Sequence, residues 1–191
     1  MNNGCAGPGP EGGAVMIRKA AEFAKRVHEG KVRKGSEIPY IVHPMEAAVI
    51  VSGLTRDPEV ISAALLHDVI EDTETTYQEL QEKFGKRVAD LVMEESEDKS
   101  KTWKERKGAT IERLKTASRE VKTVCLGDKL SNLRSTAADY LAKGDEVWEK
   151  FRVPDKKEHE WYYRGVFEQL ADFRGEAAYE ESLRLMKDLF G

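Results

Sequence analysis

The stretch His67-Asp68-Val69-Ile70-Glu71-Asp72 places four polar groups directly after an apolar run, Ala64-Leu65-Leu66. On a helix, residues four apart share a face, so His67 is expected over Glu71 and Asp68 over Asp72. Three carboxylates and an imidazole then form one patch. Clustered carboxylates repel one another unless a cation or shared protons hold them, and a divalent metal resolves that conflict. By itself a His-Asp pair reads first as a solvated helix end, and context must reverse that reading. Two further residues supply context. His43, in Tyr40-Ile41-Val42-His43-Pro44, is expected at a helix N-cap, with Pro44 at the first helical position. Asp128 shares a helical stripe with Val121 and Val124 and is expected to face inward, where an unpaired carboxylate is costly. Asn132, one turn on, shares its face. Gly127 weakens the helix and suggests close packing or close approach of a ligand. A set of two imidazoles and two carboxylates suits a borderline-to-hard divalent ion such as Mn²⁺, with Fe²⁺ or Zn²⁺ also compatible.

Basic residues complete the chemical inventory. Lys31, Arg33 and Lys34 form a cluster just before His43 in an otherwise acidic chain. They are either a solvated loop or a clamp for an anion, since guanidinium and ammonium groups suit phosphate oxygens. Lys99, Lys101, Lys104 and Arg106 stand in the mixed-charge stretch Glu94 to Lys107, whose default reading is a solvated loop and helix start. His28, near a helix end, reads as structural. His159, among Lys156, Lys157, Glu158 and Glu160, is expected to be exposed.

The elements that must position these residues are all helical. Apolar spacing and end signals predict helices over Ala14–Glu29, Pro44–Gly53, Asp57 through the His-Asp cluster, Thr76–Phe84, Lys86–Glu95, Thr102–Ala117, Arg119–Lys143 and Glu176–Phe190. A short helix over Asp145–Arg152 and one after Pro154, containing Trp161, Tyr162 and Tyr163, are also expected. The helix opened by Asp57-Pro58-Glu59 is apolar on most sides and should be central and buried. No alternating strand pattern is present, so the fold class is all-α. Met1–Gly13, rich in Gly and Pro, reads as a disordered tail, and residues 14–191 read as one domain. The chain has 191 residues, 40% hydrophobic and 35% charged, with net charge −4. That balance argues against nucleic acid as a partner. No apolar run approaches a membrane span, and no secretory signal is visible. Two cysteines make no disulfide framework, which suits a reducing cytoplasm.

The ordered set His43, His67-Asp68 and Asp128 resembles the HD-domain metal phosphohydrolases. Arg33-Lys34, Tyr40-Ile41 before His43-Pro44, Ala63 to Thr73, Phe84-Gly85, and Asp128-Lys129-Leu130 with Asn132-Leu133-Arg134 narrow the likeness to the RelA/SpoT hydrolase type. Within it the chain looks most like the stand-alone small alarmone hydrolases, over about Val15 to Leu170. The resemblance implies a compact multi-helix fold, one Mn²⁺, and removal of the 3′-pyrophosphate from guanosine 3′,5′-bispyrophosphate. It implies His43, His67, Asp68 and Asp128 as metal ligands and Glu71 and Asp72 as the catalytic acidic pair. Arg33, Lys34 and Asn132 match nucleotide contacts, and Lys99 and Tyr162 are added as further substrate-binding candidates. The chain departs from the family pattern at Gly127, Ser131 and Glu94-Glu95-Ser96. Two alternatives stay open: an HD phosphatase on another nucleotide (an adenosine alarmone, the NADPH 2′-phosphate or a nucleoside monophosphate), and a nucleotide-sensing module with idle chemistry. The oligomeric state is left open, a homodimer included.

Overall fold

The computed structural model describes residues 10–191, and the expected tail over residues 1–9 lies outside them. Among the described residues the regular structure is helical, joined by loops and turns, apart from one isolated bridge between Val32 and Pro39. In chain order the helices are α1 (Pro10–Val27), α2 (Val42–Leu54), α3 (Pro58–Leu66), α4 (Val69–Asp72), α5 (Tyr77–Phe84), α6 (Lys86–Glu95), α7 (Trp103–Leu114), α8 (Arg119–Lys143), α9 (Lys156–Gln169) and α10 (Ala177–Phe190). Short 3-10 stretches cover Gly144–Lys150 and Ala171–Phe173. The first of these stands where a short helix was expected.

Local chemistry explains most helix starts. The Asp57 side chain accepts from the Glu59 amide, with Pro58 at the first helical position. Thr102 and Glu105 form a reciprocal capping box on α7. Ser118 caps α8 by accepting from the Val121 amide. Gly85, with φ of 88°, makes the sharp turn between α5 and α6, a backbone state that side chains disfavour.

Three boundaries differ from the expectations. Helix α1 begins at Pro10, so residues 10–13, read as tail, are helical. Gly13 is buried, and a Cβ there would stand 3.0 Å from Pro58 Cγ. The glycine serves close packing of α1 on α3, which composition cannot distinguish from disorder. Helix α2 begins at Val42, so His43 lies inside its first turn and does not cap it. Finally, the helix through the His-Asp cluster is two helices, α3 and α4, with His67 and Asp68 in the turn between them.

Two apolar clusters form the core. One gathers α1, α3, α5 and α6 with the start of α8, around Leu65, Leu66, Leu80, Val88 and Val124. The other lies under α7, α9, α10 and the rest of α8, around Leu126, Leu133, Phe167 and Phe173. Helix α3 is buried along nearly its whole length, as its composition predicted. Arg87 ties α3, α6 and α8 together, pairing with Glu59 at 2.5 Å, Glu120 at 2.6 Å and Asp57 at 2.7 Å. Helix α8 joins both clusters and runs against α2. At their crossing a Cβ on Gly127 would stand 2.7 Å from Val51 Cγ2 and 2.9 Å from the Ala47 carbonyl oxygen. The glycine thus lets the helix carrying Asp128 approach the helix carrying His43.

Candidate metal centre

The three elements meet as the spacing predicts. From α2, His43 Nε2 lies 3.1 Å from His67 Nε2, 3.2 Å from Asp128 Oδ1 and 3.4 Å from Asp68 Oδ2. His67 Nε2 lies 3.0 Å from Asp68 Oδ2 and 3.6 Å from Asp128 Oδ1. One donor atom each from His43, His67 and Asp128 falls within a 4.8 Å sphere of mutual distances, with all three residues buried. The break between α3 and α4 has a purpose here: it aims two consecutive side chains, His67 and Asp68, at the same point.

The donors are held from behind. His67 Nδ1 meets the Ala64 carbonyl at 2.8 Å, one turn back on α3. A carbonyl only accepts, so Nδ1 carries the proton and Nε2 faces the other donors. The Tyr40 hydroxyl donates to Asp68 Oδ2 at 2.5 Å. Its ring packs edge-on against His43 at 5.8 Å and lies tilted against His28 at 4.8 Å. Asn132 Nδ2 donates to Asp128 Oδ1 at 2.5 Å, and Lys129 pairs with Asp128 Oδ2. His43 Nδ1 meets Ser131 Oγ at 2.8 Å.

The electrostatics fit a cation. Burial opposes charge on His67, yet Asp68 and Asp128 hold its pKa well above the ordinary range. Burial likewise opposes ionisation of both carboxyls, but His67 and His43 hold Asp68, and Lys129 with the two histidines holds Asp128, well below the usual range. Positive charge is therefore stabilised at the point where the four side chains converge, and a divalent ion would compete there with protons. Two imidazoles and two carboxylates are a suitable donor set for such an ion.

Beside the centre opens a cavity of about 340 Å³. Its lining includes Glu71, Asp72, Arg33, Lys34, Asn132 and Tyr162, all expected from sequence. Burial, followed by repulsion from Asp68, raises the Glu71 carboxyl above its ordinary pKa. Arg33 Nη2 donates to Asn132 Oδ1 at 3.2 Å, so the loop before α2 folds back to α8. Lys99 is placed differently from a cavity residue. It is half exposed, pairs with Asp72 Oδ1 at 2.9 Å and donates to the Glu71 carbonyl, outside the cavity lining. Of the other lysines and arginine of that stretch, Lys101 pairs with Asp98, Lys104 with Glu158, and Arg106 with Glu97.

Several site residues were not singled out from sequence. Lys107 and Lys129 line the cavity and lie 4.7 and 5.6 Å from the Tyr162 ring centroid. Both Tyr162 and Tyr163 line it, and burial pushes the Tyr163 phenol up to about 12. Glu95 lines it too. Its Oε1 is enclosed without a hydrogen-bond partner, and burial raises its carboxyl to about 7. His159, expected to be exposed, is buried: it meets the Val153 carbonyl at 2.8 Å and packs against Phe151 at 4.7 Å and Trp148 at 5.2 Å. Its charged sequence neighbours occupy the other faces of α9, so local composition misled. His28 is structural as expected, buried against Tyr40.

A helical core that brings His, His-Asp and Asp from three segments to one point defines the HD-domain class. The HD-domain family pattern matches residues 20–152, more than half of the chain, and the chain belongs to that family. An HD domain implies a divalent metal, and the donor set fits one. The chain is 39% identical over 165 residues to the guanosine-3′,5′-bis(diphosphate) 3′-pyrophosphohydrolase MESH1 of Xenopus tropicalis, covering 85% of this chain and 87% of that one. It is 41% identical over 146 residues to the MESH1 of Homo sapiens, covering 74% and 79%. A solved structure, described as a metazoan ortholog of SpoT that hydrolyzes ppGpp and plays a role in starvation responses, matches with a TM-score of 0.76. That match has 26% identity and covers 96% of this chain and 97% of the other.

Proposed function

We propose that this protein is a divalent-metal-dependent pyrophosphohydrolase that removes the 3′-pyrophosphate of guanosine 3′,5′-bispyrophosphate, giving GDP and pyrophosphate. The observation that carries this reading is the convergence of His43, His67, Asp68 and Asp128 beside Glu71 and Asp72, at a cavity walled by Arg33, Lys34 and Asn132. The similarity to MESH1 over most of both chains supports the substrate. Mn²⁺ is the proposed ion, with Fe²⁺ and Zn²⁺ as the competing choices for the same donors.

His43, His67, Asp68 and Asp128 would hold the ion. Bound there, it supplies Lewis acidity at a phosphoryl oxygen and acidifies water. Glu71 and Asp72 orient the attacking water, and Glu71 accepts its proton. Its raised pKa brings it closer to the operating pH, which favours base catalysis. Attack at the phosphorus joined to O3′ breaks the P–O3′ bond, and the departing oxygen takes a proton to leave the 3′-hydroxyl. Arg33 and Lys34 offset phosphate charge, and Arg33 presents a planar guanidinium to the base, a role Lys performs poorly. Tyr162 forms an apolar wall for the nucleotide. Lys99 acts through its contacts to Glu71 and Asp72, holding them in place at the cavity edge.

The deciding experiment is a substrate panel with metal-loaded protein: guanosine and adenosine bispyrophosphates, NADPH and nucleoside monophosphates. Guanosine 3′,5′-bispyrophosphate should give the highest kcat/KM. Arg33→Ala should raise its KM roughly ten- to a hundred-fold, the value of one charge-assisted contact, with metal content unchanged. Preference for another nucleotide replaces the substrate, and no turnover of any nucleotide leaves a sensing module.

A further inference from the structure

Behind His43 lies a chain of polar contacts that the proposed chemistry does not use. Ser131 Oγ, on α8, donates to Glu46 Oε2 at 2.7 Å and lies 2.8 Å from His43 Nδ1. Ser131 and His43 are 1% and 2% exposed, so water does not substitute for either partner. Glu46 Oε1 accepts from Arg134 at 3.0 Å, and Arg134 grips Glu181 of α10 through Nε at 2.7 Å and a second nitrogen at 2.8 Å.

A serine hydroxyl has one proton. Spent on Glu46, it leaves the Ser131 oxygen only as an acceptor toward His43. The neutral His43 ring must then carry its proton on Nδ1, with the lone pair on Nε2. An opposing pull acts on Nε2. Asp128 Oδ1 and Asp68 Oδ2 lie 3.2 and 3.4 Å from Nε2, and each would accept a proton placed there. His67 has a backbone carbonyl to settle the same competition. His43 has Ser131.

We infer that Ser131 is a positioning residue that relays the acceptor strength of Glu46 to His43, keeping Nε2 bare for a divalent cation. Arg134 and Glu181 hold Glu46 in place, so α10 braces a metal ligand without approaching the metal. The inference rests on the reading of these side chains as a metal centre and is independent of which nucleotide is cleaved. A carboxylate behind a ligating histidine is a recurrent way to fix its tautomer and raise its basicity. Here a hydroxyl stands between them.

The test uses Mn²⁺ alone, without nucleotide. In Ser131→Ala, the Mn²⁺ dissociation constant measured by calorimetry should rise ten- to a hundred-fold, the usual effect of losing such support. The metal-free variant, with His43 ¹⁵N-resolved by NMR at a pH where the ring is neutral, should shift from the Nδ1–H toward the Nε2–H tautomer. His67 should stay as it is. Ser131→Thr keeps the hydroxyl and should restore both readouts to near wild-type values. Wild-type affinity and an unchanged His43 tautomer in Ser131→Ala would overturn the relay. So would equal losses in the Ala and Thr variants, which would assign the effect to packing.

Discussion

Glu95 shows how one residue records the character of its surroundings. Burial of its carboxyl raises the pKa from 4.5 to about 7, and neighbouring Lys129 and Arg113 offset this only in part. The sign follows directly. Below about pH 4.5 the group is protonated in both folded and unfolded chains and costs nothing. Between pH 4.5 and 7 the unfolded chain ionises while the folded chain does not, so stability falls as pH rises. Above pH 7 the full cost is present, at most about 3 kcal/mol from the size of the shift. Glu95→Gln should therefore be more stable than the parent at pH 8 in metal-free protein. Urea unfolding should show that advantage shrink as the pH falls toward 4.5 and vanish by about pH 4. An equal gain at both pH values would mean that ionisation is not its source.

At the scale of elements, the α2–α8 crossing shapes the candidate metal centre. It brings His43 and Asp128 to 3.2 Å and carries Ser131 to His43. The gap that permits it is the missing Cβ of Gly127. A methyl there meets a backbone carbonyl oxygen at 2.9 Å, which cannot rotate away as a side-chain end can. Gly127→Ala gains about 1 kcal/mol of helix propensity. Overpacking at a tight contact costs about 1–3 kcal/mol. The net expectation is a small loss of stability with a larger loss of Mn²⁺ affinity, as the two ligand-bearing helices move apart. Calorimetry and thermal unfolding of the variant measure both. Unchanged metal affinity would show that the crossing tolerates the methyl by local adjustment.

For the whole molecule, the candidate metal centre draws its side chains from α2, the α3–α4 turn and α8, and α8 contributes to both apolar clusters. A ligand that binds only the folded chain adds stability by mass action, about 2.7 kcal/mol at a hundred times its dissociation constant. For a chain of this size 1 kcal/mol moves the melting temperature by about 2–4 °C. Saturating Mn²⁺ should thus raise the melting temperature by several degrees over chelator-treated protein. Asp128→Ala should remove that difference. A variant whose melting temperature still responded fully to Mn²⁺ would place the ion elsewhere.

Much of this was legible one residue at a time. The spacing of apolar residues set out the helices, with α8 found to its ends at Arg119 and Lys143, because helical periodicity and capping are local properties. The side chains that converge at the candidate centre were legible where they were chemically out of place: Asp128 on an apolar stripe, and His67-Asp68 closing an apolar helix. Their supports were not. Ser131 and Glu46 lie 85 positions apart, and neither is unusual in its own helix. Lys107 looked like a surface charge and proved to be a cavity wall, and His159 did the same among charged neighbours. Glycines near the N-terminus read as disorder, yet Gly13 serves a helix contact. The sequence by itself determined which residues hold charge awkwardly and which segments coil. Only the packing of α2 against α8 and of α7 and α9 over the cavity decided which polar groups meet, because hydrogen-bond partners are chosen by distance in space and not by position in the chain.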